Sequence, residues 1–149
     1  MKSLLILGAG GFGRMIKETA LALGYEEVLF LDDTAKDDDV IGRCCDYHLY
    51  HRDYSVAVAA FGNNKTRLFW TQKLLEEEYE VPAIVHPSAI VSPSVRLEPG
   101  CFIMQRAVVN MNTTIKMAAL INSGAVVDHD SIVEEGAHVG LGSVVKAHC

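Results

Sequence analysis

The stretch CFIMQRAVVNMNTTIKMAALINSGAVVDHDSIVEEGAHVGLGSVV, residues 101–145, has an aliphatic residue at every sixth position from Ile103 onward. The same spacing continues back to Val85, and a second six-residue series, offset by two positions, carries small or medium-sized residues from Ala83 to Cys149. Residues two apart in a strand point to the same face, so each repeat predicts a short strand with two inward residues, followed by a turn. Three such strands complete one triangular coil, and stacked coils form a parallel β-helix.

The residue between the two inward positions points outward, and its character differs among the three sides of the predicted coil. On one side this residue is always aliphatic, at Ile90, Val108, Val126 and Val144. A continuous apolar surface of this kind is typical of a protein interface. We therefore expect this side to pack against neighbouring subunits, most simply in a homotrimer.

Composition excludes several classes of partner. The chain has 149 residues and a net charge of −6, and its basic residues are scattered, which argues against nucleic acid or an anionic membrane surface as a partner. No apolar stretch is long enough to cross a bilayer, so membrane insertion is not expected. The four cysteines lack the spacing of a metal site and suit a reducing cytoplasm, the predicted location.

The first half of the chain is predicted to be a Rossmann-like α/β domain, residues 1–80, ahead of the β-helix domain at residues 81–149. Residues 2–7 predict a strand and residues 11–23 a helix, joined by Gly8-Ala9-Gly10-Gly11-Phe12-Gly13, and a second strand ends at Asp32-Asp33. Glycines in a tight turn before a helix bind phosphate, and a carboxylate after the second strand binds a ribose or a base. The predicted substrate site therefore includes Gly8, Gly10, Gly11, Gly13, Asp32 and Asp33.

A third predicted strand, residues 56–61, leads into Gly62-Asn63-Asn64-Lys65 and a helix over residues 66–79. This turn would face the same crevice, which adds Asn63 and Asn64 to the predicted substrate site. Three interpretations of the glycine loop stay open: a nicotinamide-dependent dehydrogenase, a tight turn that binds nothing, and a site for one nucleotide or a nucleotide-linked sugar. The last fits the size best, because about 80 residues provide only one half of a dinucleotide-binding fold.

The segment Asp128-His129-Asp130 falls at a predicted corner of the β-helix. A histidine between carboxylates suits a general base, because its ordinary pKa lies near neutrality and a carboxylate can fix its tautomer. The alternative is a solvated turn histidine. His138 is either a surface residue or a substrate contact, and no chemical role is expected for His48, His51, His86 or His148. Histidines on a β-helix can bind zinc, as in carbonic anhydrases of this architecture, but their pair of histidines five residues apart is missing here, so no metal is expected.

Several motifs resemble one family over essentially the whole chain. They are Gly8-Ala9-Gly10-Gly11-Phe12-Gly13, Phe30-Leu31-Asp32-Asp33, Gly62-Asn63-Asn64-Lys65-Thr66-Arg67, His86-Pro87-Ser88-Ala89 and Ile121-Asn122-Ser123-Gly124-Ala125-Val126-Val127-Asp128-His129-Asp130. In this order they resemble the hexapeptide-repeat acyltransferases, specifically the bacterial sialic acid O-acetyltransferases and UDP-4-amino-sugar N-acetyltransferases. The resemblance implies a left-handed β-helix, a nucleotide-sugar in the N-terminal domain, and acetyl-CoA along the β-helix between subunits.

The resemblance also assigns roles to single residues. It implies that His129 is the base and that Asp130 orients it. It places Asn122 and His138 near the substrate or the cofactor, and a backbone amide near Ala147 beside the oxyanion. Acetyl transfer would then proceed by direct attack of the acceptor on the thioester.

The expected function is acetyl transfer from acetyl-CoA to an amino group of a nucleotide-linked sugar in bacterial glycan biosynthesis. O-Acetylation of a sialic acid is the alternative within the family. Many relatives have an Ala-Gly-Asn near Lys146-Ala147-His148 and further C-terminal coils, so we expect a C-terminally truncated β-helix domain. A catalytically inactive trimeric binding or scaffold protein is therefore the alternative of another class.

Overall fold

The computed structural model describes residues 1–149, which divide into two compact units, Met1–Pro82 and Ala83–Cys149. None of its helices combines the length and the apolar character that crossing a membrane would require.

The first unit is a parallel sheet with two helices. Its elements, in chain order, are β1 (Ser3–Leu7), α1 (Gly11–Ala22), β2 (Glu27–Leu31), β3 (Val40–Gly42), a 3-10 helix (Cys44–Leu49), β4 (Ala57–Ala59) and α2 (Asn64–Glu76). The strand order is β3-β2-β1-β4, with every neighbouring pair parallel. The order reverses between β1 and β4, and ligands of open α/β sheets bind at such a reversal, beyond the carboxyl ends of the strands.

The third predicted strand and the second helix have bounds other than those expected, the helix ending at Glu76 rather than at residue 79, and β3 and the 3-10 helix were not predicted. The third predicted strand is shorter, because only residues Ala57–Ala59 pair with β1. The second helix begins earlier, at Asn64, because the side chain of Asn63 accepts a hydrogen bond from the backbone N–H of Thr66 and caps the helix there.

The second unit is a parallel β-helix, as the six-residue spacing predicts. Its eleven strands are two residues long: β5 (Ile84–Val85), β6 (Ile90–Val91), β7 (Arg96–Leu97), β8 (Phe102–Ile103), β9 (Val108–Val109), β10 (Thr114–Ile115), β11 (Leu120–Ile121), β12 (Val126–Val127), β13 (Ile132–Val133), β14 (His138–Val139) and β15 (Val144–Val145). They form three parallel sheets, β14-β11-β8-β5, β15-β12-β9-β6 and β13-β10-β7. Residues 18 apart pair across coils, as Val108 does with Val126.

The interior of the β-helix consists of the two series recognised in the sequence. Ile103, Val109, Ile115, Ile121 and Val127 are fully buried and pack together with the small residues of the second series. Thr113 and Ser131, two polar members of that series, are also buried, whereas Ser143, a third one, is exposed. The hydroxyls of the two buried residues donate to backbone carbonyl oxygens of Asp128 and Lys146, so the interior polar groups are satisfied.

Candidate active site

The predicted base lies at the corner that joins β12 to β13. This corner, residues 128–131, is called the His129 corner here. The coil before it contributes residues 110–113 and the coil after it residues 146–149, each 18 residues away. Stacking therefore brings together three short segments that are separate in the sequence.

His129 and Asp130 form a close pair. The His129 Nδ1 atom lies 2.6 Å from Asp130 Oδ2, and the two side chains are 37% and 35% exposed. A carboxylate accepts a hydrogen bond from Nδ1–H, which leaves Nε2 with its lone pair. This hydrogen bond raises the pKa of His129 above its ordinary 6.5, and the same hydrogen bond lowers the pKa of Asp130. The pair has the arrangement of an oriented general base.

Hydrogen bonds from the preceding coil hold this corner in place. The Asp128 Oδ1 atom accepts hydrogen bonds from Asn110 Nδ2 at 3.0 Å and from the His129 backbone N–H at 2.8 Å. The Asn110 hydrogen bond is the main reason that the pKa of Asp128 is lowered. The backbone N–H of Asp130 donates to the carbonyl oxygen of Met111. Both carboxylates flanking His129 therefore have defined roles in the corner.

The following coil adds His148 and Ala147. The backbone N–H of His148 donates to the carbonyl oxygen of His129 at 3.2 Å, and the two imidazole rings pack edge-to-face at 5.3 Å between centroids. Ala147 is 18 residues after His129, and its backbone N–H donates no hydrogen bond within the chain. The sequence assigned no role to His148, because its position beside His129 depends on the coil geometry.

Three residues in and beside the His129 corner are also potential metal ligands. His129, Asp130 and His148 each place one potential ligand atom within 4.8 Å of the others. The carboxylate of Asp130 already accepts the Nδ1 hydrogen bond, so a metal at that nitrogen would have to displace it. The expectation of no metal stays a prediction.

Asn122 and His138 lie together elsewhere on the β-helix. Asn122 follows β11 and His138 begins β14, and the amide nitrogen of Asn122 is 3.0 Å from His138 Nε2. The Asn122 Oδ1 atom also accepts a hydrogen bond from the backbone N–H of Ser123, which fixes the orientation of the amide. The structure thus places these two predicted contact residues beside each other.

In the first unit, the glycine loop divides into packed and open positions. A Cβ on Gly13 would lie 1.9 Å from the carbonyl oxygen of Gly8, so only glycine permits this approach of α1 to the loop. Gly8 has a φ of +100°, and a Cβ at this position would clash with the carbonyl oxygen of Ala60. In contrast, nothing lies within 4 Å of a Cβ on Gly10 or Gly11. Space for a phosphate is therefore found above Gly10 and Gly11, at the N-terminus of α1.

The two predicted ribose-binding carboxylates have partners within the chain. Asp32 accepts hydrogen bonds from the backbone N–H groups of Ala9, Thr34 and Ala35. Burial raises the pKa of Asp32, but these hydrogen bonds outweigh it, so the net pKa is lowered. Asp33 Oδ1 accepts from the backbone N–H of Cys44. Asp32 therefore connects the glycine loop to the loop after β2. Of the two carboxylates, only that of Asp33 has an oxygen that accepts no backbone N–H hydrogen bond.

An open cleft of about 430 Å³ lies at the carboxyl ends of β2 and β3. Its lining includes Asp32 and Asp33 together with two cationic side chains, Lys36 and Arg43. The mixture of carboxylates and cations suits a polar ligand that carries both hydroxyl groups and negative charge.

The Asn63–Asn64 turn contains a residue that the sequence reasoning did not select. Arg67 is fully buried, and its guanidinium donates to the carbonyl oxygens of Phe61 and Gly62 and to Asn64 Oδ1. Burial lowers the pKa of Arg67 to about 10. The signal available in the sequence was a charged residue one helical turn after the Asn63 cap. Asn63 and Asn64 thus shape this turn through Thr66 and Arg67.

Comparisons with known proteins agree with this architecture. Residues 3–74 match the model of the PglD N-terminal domain. The acetyltransferase domain of PglB from Neisseria gonorrhoeae, solved in complex with acetyl coenzyme A, is 29% identical, with a TM-score of 0.92 over 99% of this chain and 83% of that one. PerB from Caulobacter crescentus, solved with CoA and GDP-perosamine, is 30% identical, with a TM-score of 0.90 over 97% of this chain and 71% of that one.

The two structural matches extend over both units, whereas the PglD match lies in the first unit alone, and the β-helix has the left-handed sense that the resemblance implied. The expected fold class, an α/β Rossmann-like unit followed by a left-handed parallel β-helix, is confirmed. The protein is an acyltransferase, and it belongs to the bacterial sugar acetyltransferases of the hexapeptide-repeat family.

Proposed function

We propose that this protein transfers the acetyl group of acetyl-CoA to an amino group of a nucleotide-linked sugar. The observation that carries the proposal is the His129–Asp130 pair, whose 2.6 Å hydrogen bond at Nδ1 leaves Nε2 available as a base. The related PerB was solved with CoA and GDP-perosamine, and the PglB domain with acetyl coenzyme A, which supports both the cofactor and the substrate class.

The proposed reaction needs no covalent enzyme intermediate. The sugar amine attacks the carbonyl carbon of the thioester while Nε2 of His129 accepts a proton from the nitrogen. The Ala147 backbone N–H donates to the oxyanion of the tetrahedral intermediate. The intermediate then collapses, the carbon–sulfur bond breaks, and the imidazolium returns its proton to the departing CoA thiolate. Asp130 remains ionised and stabilises the imidazolium between these steps.

The binding residues follow the same proposal. Asn122 and His138 contact the acetyl-CoA or the sugar. The nucleotide phosphates bind at the open backbone above Gly10 and Gly11, and the cleft lined by Asp33, Lys36 and Arg43 accepts the rest of the nucleotide. Asp32, Asn63 and Asn64 shape this site through the loops that they hold. A cytoplasmic location accords with the four free cysteines.

O-Acetylation of a sialic acid would use the same base in the same way, so the acceptor decides between the two reactions. A scaffold without catalysis has less support. Such a role requires neither the His129–Asp130 hydrogen bond nor a backbone N–H at Ala147 that has no acceptor within the chain. A thiol-release assay separates these functions. Acetyl-CoA is supplied with UDP- and GDP-linked amino sugars, with CMP-sialic acid, or with free sialic acid.

We expect turnover with a nucleotide-linked amino sugar. His129→Ala should lower kcat by about 10²- to 10⁴-fold, the usual contribution of a positioned base. His86→Ala is the matched control, because the side chain of this half-buried histidine of the same unit hydrogen-bonds to Ser88, and its loss should leave turnover unchanged. Undiminished turnover of His129→Ala would remove His129 from the mechanism, and absence of acetyl-CoA binding by calorimetry would favour the scaffold.

A further inference from the structure

We infer that His148 is a positioning residue, whose ring holds the imidazole of His129 in the orientation that presents Nε2 to the substrate. The inference rests on the proposed function of His129 and adds a residue for which neither the motifs nor the resemblance indicated a role.

The first observation is the ring contact. The imidazoles of His129 and His148 pack edge-to-face, with an interplanar angle of 86° and 5.3 Å between their centroids. The Asp130 hydrogen bond restrains one atom of the His129 ring, at Nδ1. A second contact on the ring is needed to restrain rotation about that hydrogen bond, and His148 provides it.

The second observation is that the backbone of His148 is tied to the base itself. Its N–H donates to the carbonyl oxygen of His129, so the contact between the rings is made by two residues whose main chains are also bonded. The position of His148 is thereby coupled to the position of His129.

The third observation concerns the turn residues. Each of the three corners of the β-helix has three residues with positive φ, a conformation that glycine adopts most readily. The other two corners have glycine at two of these positions, namely Gly124 and Gly142 in one and Gly100 and Gly136 in the other. The corner column that contains the base has Asn112, Asp130 and His148 instead, with φ of +57°, +56° and +61°.

This column therefore has side chains where the fold itself would accept glycine. Asp130 bonds to His129, and His148 packs on the same ring. A histidine at a position that favours glycine has a cost in backbone strain, and the contact with His129 is the function that the structure offers for it.

The test compares His148→Ala with His148→Phe in the full chain. Phenylalanine keeps an aromatic ring but cannot titrate or ligate a metal. We expect His148→Ala to lower kcat by about three- to tenfold, the range of one aromatic contact, with KM for both substrates within about twofold of wild type. His148→Phe should restore most of kcat.

A spectroscopic measurement follows the base directly, without substrate. The proton between His129 Nδ1 and Asp130 should give a low-field NMR resonance that broadens or disappears in His148→Ala and returns in His148→Phe. Wild-type behaviour of the Ala variant in both measurements would overturn the inference, and so would a Phe variant as impaired as the Ala variant. His129→Ala is assayed in parallel: if it remains active, the proposed function fails, whereas an inactive His129→Ala beside a fully active His148→Ala refutes the role of His148 alone.

Discussion

At His129, one hydrogen bond decides which nitrogen of the ring can accept a proton. Asp130 is the next residue in the chain, and its left-handed backbone, with a φ of +56°, turns the carboxylate back toward Nδ1. Asparagine tolerates the same backbone conformation, so the charge can be removed while the turn is kept.

Asp130→Asn should change the pH dependence of the reaction. Because Asp130 raises the pKa of His129 above 6.5, the wild-type rate should increase with pH through that raised pKa, as the imidazole becomes neutral. Without the carboxylate charge, the pKa falls toward 6.5, so the acid limb of the kcat profile moves to lower pH while the plateau falls by about tenfold or more. An NMR titration of His129 gives the same pKa independently. An unchanged pKa would contradict the assignment of Asp130.

The same pair also makes stability depend on pH. A raised pKa at His129 means that its contribution is present below 6.5 and is lost as the pH rises through the folded-state value. A lowered pKa at Asp130 means that its contribution is present above 3.8 and is lost as the pH falls through the folded-state value. The pair therefore stabilises the corner most in the window between these two limits.

At the scale of the element, a strand of two residues has little stability of its own. Each strand of the β-helix is held by one or two parallel neighbours in adjacent coils, and by one aliphatic side chain in the common interior. The corners keep their positions only as long as this interior remains filled. The geometry of the His129 corner therefore depends on the buried residues of the interior.

Two isoleucines of the β-helix differ in burial, so they distinguish an interior position from a surface position. Ile121 is fully buried in β11, whereas Ile132 is 53% exposed in β13. Ile121→Ala should reduce the free energy of unfolding by about 2–4 kcal/mol, because it leaves a cavity. Ile132→Ala, which deletes the same atoms, should cost less than about 1 kcal/mol. Urea unfolding followed by circular dichroism measures both values, and equal losses would mean that Ile121 does not fill a packed interior.

At the scale of the whole molecule, one sheet of the β-helix leaves an apolar surface uncovered. On the sheet β15-β12-β9-β6, the outward residues are Ile90, Val108, Val126 and Val144, and the first and last of them are each 67% exposed. The His129 corner directly follows β12 of this sheet. We propose that three copies of the chain cover these surfaces, which would place the base next to a subunit boundary.

Sedimentation equilibrium tests the homotrimer. The wild-type chain should sediment at three times its protomer mass of 16.3 kDa, and Val126→Asp should dissociate it, because a carboxylate would be buried at the interface. Ile132→Asp makes a similar change on a different sheet and should leave the assembly intact. A wild-type chain that stays monomeric at micromolar concentration would refute the proposed trimer.

The predictability of the molecule differs from site to site. The interior columns follow from spacing alone, since side chains six residues apart have no other common surface to occupy. Gly8 and Gly13 could be selected because close backbone contacts tolerate no side chain. The hydrogen bonds that Asp32 and Asn64 make within the chain could not be predicted, because their partners, Ala9 and Arg67, are identified only when the loops are folded.

The coil and the side on which each outward residue lies follow from the amino-acid sequence alone, since both depend on short-range periodicity, and the choice of Asp130 as the partner of His129 follows from the family resemblance. The contact of His148 with His129 and the use of the Asp32 carboxylate within the chain become evident only when the chain is folded. The difference is one of distance along the chain. Contacts between residues from different turns of a coil, or from different loops, depend on side-chain directions that are set only when the backbone has closed around a common core.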